Sequence, residues 1–417
     1  MAAYFDDREQ RSPDEREKDL FARLPEFLAA SIRDVPGLAR WLEGIDPATV
    51  TSRSALASLP VLRKAELMEM QARKPPFGDF VNQAHLQGSR VFMSPGPIWE
   101  PQGLEKDSGH SARAMFAVGI RPGDIMHNAF SYHMTPGGFI IDEGARALGC
   151  TVFAAGTGNT DMQVEAAAAL KPGVYGGTPD FLKVMLDRAA ETGKDISSFR
   201  LGLVSGGALF PSLRQEYLSR GIRVYQCYAT AEFGVIAYES AAEDGSPNPG
   251  MIVNEDLIVE IVRPGTGDPV PEGEVGELVV TSLNPAYPLV RLGTGDLSAI
   301  MPGQSPCGRT GQRLKGWMGR ADQRTKVKGM FVDPKQIAEV VARHREVARA
   351  RLVVIRDGAR DAMTLHVEAT PGASPDASAI ETSLREITKL GGAVHLAEPG
   401  SLPNDGKVIA DERDYAN

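Results

Sequence analysis

Between about residues 90 and 230, short apolar runs alternate with alanine-rich or amphipathic stretches: GCTVFAAG, MQVEAAAAL, KPGVYGG, PDFLKVMLDRAAE and LGLVSGG follow one another. Short runs bounded by glycine or proline read as buried strands, and the longer stretches carry helical spacing. Two parallel strands need a crossover of about a dozen residues, usually a helix. The rhythm therefore predicts a mostly parallel sheet covered by helices.

The flanks have other textures. Residues 12–72 place Leu20, Leu24, Phe27, Leu28 and Ile32 at helical spacing, interrupted at Pro36 and Pro60, which predicts an α-helical entry region within residues 1–75. After about 250, DLIVEIVRPGTGDPVPEGEVGELVVTSLN reads as strands joined by tight turns. From about 323, DPKQIAEVVARH and DASAIETSLREITKL read as helices, and RARLVVIRD, AMTLHVEAT and GAVHLAE as strands. A chain of 417 residues exceeds what one core usually supports. The expected organisation is α/β: a large domain over 1–321, with a β-rich part at about 250–321, then a small α+β domain over 322–417.

Charge and cysteine usage exclude several functions. Lys and Arg total 45 against 54 Asp and Glu, a net charge of −9, which argues against nucleic acid or a membrane surface as partner. No stretch approaches a span of about 20 apolar residues. The opening MAAYFDDREQRSPDEREKD is too charged for a secretory signal, so a cytoplasmic location is expected. Cys150, Cys227 and Cys307 suggest neither a disulfide framework nor a zinc site, and His127 and His133 fit no common ligand spacing. GTGNTD (156–161) lacks the third glycine of a dinucleotide fingerprint, and no Walker lysine loop exists. Leu203 stands where a nucleophile elbow needs its first glycine, so Ser205 reads as a turn residue.

Five segments in order are more specific than any one alone: LVSGGALF (203–210), YQCYATAEFG (225–234), VRLGTGDL (290–297), GRADQRTKVKGMFVDPKQI (319–337) and LPNDGKV (402–408). With DEREKDLFARLPEFL and GGFIIDEGARALGCTVFAAGTGNT, the chain resembles the adenylate-forming acyl-CoA ligases nearly end to end, most closely the phenylacetate-CoA ligase branch. The resemblance implies a large AMP-binding domain and a small mobile C-terminal domain. It implies activation of a carboxylic acid, expected to be aromatic, by ATP and Mg²⁺, then transfer to coenzyme A. A small-molecule acid, ATP and coenzyme A are the implied partners, and a homodimer is compatible with it.

The residue roles implied by the resemblance are as follows. Lys407 is the mobile catalytic cation and Glu232 the catalytic carboxylate that holds Mg²⁺, a hard cation preferring oxygen ligands. Ser205, Gly206, Gly207 and Ala208 shape the adenine cleft, with Tyr228, Ala229 and Thr230 beside it. Asp296 grips the ribose hydroxyls, and Arg320 contacts the nucleotide. Asp322 is the hinge about which the small domain turns. Phe130, Tyr132, His133 and Met134 belong to the segment lining the acyl pocket, where aromatic and thioether groups suit a ring. Arg313, Lys315, Arg324, Lys326 and Lys328 form a basic cluster that is either a coenzyme A docking surface or an ordinary solvated face.

One stretch departs from this family. SPGPIWEP (94–101) aligns with its glycine-rich phosphate loop but keeps only Ser94, Gly96 and Pro101. Pro95 and Pro97 offer no backbone N–H, and Glu100 stands where a cation is expected. A full charge there would repel a phosphate by about 4 kcal/mol at contact with an effective dielectric near 20. In YATAE, Ala229 and Ala231 replace a glycine and a threonine. Three readings follow. Glu100 turns to solvent while Mg²⁺, Lys407 and Arg320 suffice; or ATP turnover is crippled and the fold binds an acyl or adenylate ligand; or the chain is a non-catalytic scaffold.

Overall fold

The computed structural model describes residues 3–413 except 322, 324, 328, 329, 358 and 359. The chain forms two compact units. One comprises Met1–Val259, Val280–Leu292 and Met301–Gly316, the other Glu260–Val279, Gly293–Ile300 and Trp317–Asn417. The second unit thus takes in residues 260–279 and 293–300 as well as the stretch from 322 expected to form the small domain. Asp322 lies outside the described residues.

In the first unit the alternating segments form five parallel strands in the spatial order Thr151–Ala154, Ile125–Asn128, Val174–Gly177, Leu201–Val204, Arg223–Thr230. Successive residues of a strand face opposite sides of a sheet, and the core divides accordingly. Val174, Leu201, Leu203 and Tyr225 pack with Met115, Ile140 and Ile141 on one side. Tyr175, Val204 and Val224 pack with Val164, Leu182, Met185 and Tyr217 on the other. Strand Gly234–Tyr238 continues the sheet in the antiparallel sense. Because strand order reverses at Ile125–Asn128, the crevice beyond the carboxyl ends of this strand and Val174–Gly177 is where such folds bind ligands.

The entry region is helical, as its spacing predicts. Helix Pro13–Asp34 begins with a Ser12–Glu15 capping box and buries Leu20, Leu24 and Leu28. Pro36 interrupts that helix by opening the next, Pro36–Trp41, at its first turn, where a missing N–H costs nothing.

The second unit contains a sheet in the order Ala393–Ala397, Arg360–Ala369, Val347–Asp357, Ile409–Asp411. The middle pair is antiparallel and each outer strand pairs in parallel. Helices Pro334–Ala342 and Ala377–Thr388 place Ile337, Val340, Ile380 and Leu384 against Leu352, Val354, Leu365 and Val367. The strand Ile409–Asp411 is too short to carry a period-2 pattern and so leaves no mark in the sequence. Among the described residues no helix is long and apolar enough to cross a membrane.

Candidate functional site

In the first unit the candidate residues gather beyond the carboxyl ends of the parallel strands. Ser205, Gly206, Gly207 and Ala208 follow strand Leu201–Val204, and the Ser205 amide donates to Gly177 O at 3.3 Å. The two glycines and Ala208 are exposed, leaving backbone open at this edge. Tyr228, Ala229 and Thr230 end strand Arg223–Thr230, which turns back at the pair Thr230↔Gly234. A Cβ at Gly234 would lie 2.3 Å from Gly109 O, and its φ is +67°, so only glycine closes this turn.

That turn carries Glu232. Its side chain is 1% exposed and receives Lys64 Nζ at 2.8 Å from Oε1 and 3.1 Å from Oε2. Lys64 opens helix Lys64–Arg73 and keeps 30% of its side chain in solvent. Lys64 is not legible in the sequence, where no local pattern distinguishes it from a helix-surface lysine.

The stretch aligned with the phosphate loop is a β-hairpin. Val91–Ser94 pairs with Ile98–Pro101 in the register Phe92↔Glu100 and Ser94↔Ile98, with Pro95, Gly96 and Pro97 exposed at the tip. Gln71 fixes it, accepting from Trp99 N at 2.8 Å and donating to Trp99 O at 2.9 Å. Glu100 does not turn to solvent: period-2 alternation sends it inward beside Ile98's face, and it is 2% exposed. Its Oε1 accepts from Ser94 Oγ at 2.6 Å, while Oε2 has no hydrogen-bond partner among the described residues. Burial, followed by the charge of Glu232, pushes the carboxyl up to about 8, with Ser94 and Lys64 pulling the other way. At neutral pH in this arrangement Glu100 is mostly uncharged, so the full repulsion expected of it is not present.

The segment around 128–138 lies beside this hairpin, with Met93 N donating to Met134 O at 2.7 Å. Asn128, at the end of its strand, donates through Nδ2 to Tyr132 Oη at 2.7 Å and Gly138 O at 2.8 Å. Tyr132 stacks edge-on against Phe139, and burial raises its hydroxyl well above the usual range. Phe130 is half-buried against the core. His133 and Met134 are exposed. His127 is fully buried and binds Gln163 at 2.7 Å, which in turn holds Gly156 O and Gly158 O, so its role is to brace the GTGNTD turn.

In the second unit Asp296 sits on strand Leu292–Ser298. Its Oδ1 accepts from Arg320 Nη1 at 2.8 Å and Trp317 Nε1 at 3.1 Å. Backbone bonds Ala321 N to Gly295 O and Leu297 N to Gly319 O, both 2.8 Å, zip the two segments together. Arg320 is exposed, whereas the Asp296 carboxylate is 13% exposed. Lys407 is also exposed, on a turn that Gln323 organises by donating to Gly406 O and accepting from Val408 N and Ile409 N. Asp405, which caps Lys407 N at 3.0 Å, is paired with Arg351 at 2.6 Å.

The expected basic cluster is not one surface. Arg313 is buried and donates to Pro249 O, Pro302 O and Gly303 O, which makes it a brace for three loop carbonyls. Lys315 is exposed; Arg324 and Lys328, and the side chain of Lys326, lie outside the described residues.

Residues 111–286 match the AMP-binding enzyme family. The phenylacetate-coenzyme A ligase of Thermus thermophilus is 31% identical over 83% of this chain and 80% of its own, and that of Aromatoleum evansii 28% identical over 94% and 93%. A solved structure of 2-hydroxyisobutyryl-CoA ligase in the postadenylation state, bound to 2-HIB-AMP, superposes with a TM-score of 0.72. It has 26% identity and covers 99% of this chain and 93% of that one. The fold and the ordered site segments define an adenylate-forming enzyme. The chain belongs to the phenylacetate-CoA ligase family, and is an AMP-forming acid–CoA ligase.

Proposed function

We propose that the protein joins an arylacetic-type acid to coenzyme A at the expense of ATP, with Mg²⁺ on the phosphates. A carboxylate oxygen attacks the α-phosphorus of ATP, the bond to pyrophosphate breaks, and an acyl-adenylate forms. The coenzyme A sulfur, having lost its proton to solvent, then attacks the acyl carbon, and AMP leaves with the electron pair. An anion attacks a polyanion in the first step, so positioning and charge compensation supply the catalysis.

The observation that carries this reading is Glu232, a buried carboxylate at the carboxyl end of the parallel sheet, held by Lys64 at 2.8 Å. Its oxygens suit a hard divalent cation, which when bound would neutralise phosphate charge. In this reading Ser205 to Ala208 and Tyr228 to Thr230 receive adenine, Asp296 the ribose diol, and Arg320 the phosphate side. Lys407 meets the attacking carboxylate as a compact ammonium on a flexible stem, and the turn of the small domain about Asp322 carries it in and out. Phe130 and Tyr132 line the ring's pocket. The phenylacetate-CoA ligases support an aromatic acid, while the 2-hydroxyisobutyryl-CoA ligase favours a second reading, a small branched hydroxy acid. Acid-dependent pyrophosphate release with phenylacetate and 2-hydroxyisobutyrate, each with and without coenzyme A, tests both. The first is expected to be faster; a clear preference for the second would overturn the aromatic assignment.

A further inference from the structure

The hairpin Val91–Pro101 occupies a phosphate loop's place with neither its amides nor its lysine, and Glu100 is the residue it has gained. We propose that Glu100 is a second carboxylate ligand, beside Glu232, for the divalent cation that carries the ATP phosphates. The proposal rests on the ligase reading above.

Three observations support it. Glu100 is 2% exposed, yet its Oε2 has no hydrogen-bond partner among the described residues, an arrangement that is costly unless something occupies that lone-pair direction. Ser94 Oγ, bound to the other oxygen at 2.6 Å, fixes the rotation of the carboxyl as an outer-shell partner fixes a ligand. Helix Lys64–Arg73 ties both acids to one place, Lys64 holding Glu232 at 2.8 Å and Gln71 holding Trp99, the neighbour of Glu100, at 2.8 Å. A divalent ion bound there would displace the proton from Glu100, because a ligating carboxyl is ionised. Two carboxylates suffice for Mg²⁺, which commonly completes its shell with phosphate oxygens and water. Phosphates that the hairpin cannot hold directly are then held through the ion.

The rival account, in which Glu100 is an unfavourable negative charge near the phosphates, predicts effects of the opposite sign. Mn²⁺ binding to the full chain is measured by paramagnetic resonance, and binding of ATP with Mg²⁺ and of AMP by calorimetry, for the wild type, Glu100→Gln and Glu100→Asp. The proposal expects Glu100→Gln to weaken Mn²⁺ about tenfold or more, to weaken ATP with Mg²⁺ in parallel, and to leave AMP unchanged. Unchanged Mn²⁺ binding, or tighter binding of ATP with Mg²⁺, would overturn it. Should Glu100→Gln not fold, Glu100→Asp decides: its shorter stem should weaken Mn²⁺, and wild-type affinity refutes the ligand. If the wild type binds neither nucleotide, the ligase reading fails, and Mn²⁺ titration without nucleotide judges the metal site on its own.

Discussion

The two units treat charge in opposite ways. In the first, Glu232 and Glu100 are almost completely buried, placed by a β-turn and a hairpin and held by Lys64 and Ser94. In the second, Lys407 stands in solvent on a turn and Arg320 in solvent on a segment bridged to Asp296, whose carboxylate is drawn partly inside. Buried charges are costly and stay where their partners fix them; exposed lysines and arginines can change partners at little cost. The difference matches the proposed roles: fixed carboxylates for a metal ion in the first unit, exposed cations able to change partners in the second.

The largest effect that would break this contrast is at Lys407. Lys407→Ala should lower acid-dependent pyrophosphate release about 10²–10³-fold, the scale for losing one transition-state charge partner. Its melting temperature should stay unchanged, because the side chain is exposed. Thioester formation from supplied acyl-adenylate should persist. Equal loss in both half-reactions would show that Lys407 is not specific to the first.

Glu232→Gln should differ by costing stability as well as rate. It leaves the half-buried Lys64 without its partner, for a loss of roughly 1–2 kcal/mol in chemical unfolding after allowing for the lysine's exposure. A variant that lost rate alone would sharpen the contrast by showing the pair to be energetically neutral. Asp296→Asn should weaken ATP and AMP alike, by about tenfold for one charged hydrogen-bonding group, as read by calorimetry. Selective loss of ATP would move Asp296 from ribose to phosphate.

The smallest effect is a pH slope. Burial pushes the Glu100 carboxyl up to about 8, against about 4.5 for a free glutamate, so the folded state holds a proton that the unfolded state releases. Its contribution is fully present below about pH 4.5 and is lost as pH rises through 8. Thermal melts with chelator present should therefore fall more steeply between pH 5 and 8 in the wild type than in Glu100→Gln. Parallel curves would contradict a buried, raised carboxyl.

The architecture was readable because its signals are local. Apolar runs such as VYGG and LGLV, with intervening helices, state a parallel sheet directly. The positions proposed for the site, Glu232 and Lys407 among them, come from motifs that the sequence carries. What sequence hid depends on contacts distant along the chain. Glu100 reads as a stray surface charge until Ser94, Lys64 and Glu232 are seen around it. Arg313 reads as part of a basic face until three backbone carbonyls close on its guanidinium. Asn128 and Gln71 hold their neighbours through single polar contacts that no periodicity records.

The most direct test of the account is isotope exchange between pyrophosphate and ATP, run on the wild type with phenylacetate and Mg²⁺ but no coenzyme A. The account predicts exchange that requires the acid and the divalent ion and ignores coenzyme A. Exchange absent across aromatic and aliphatic acids, while ATP with Mg²⁺ still binds, would contradict it.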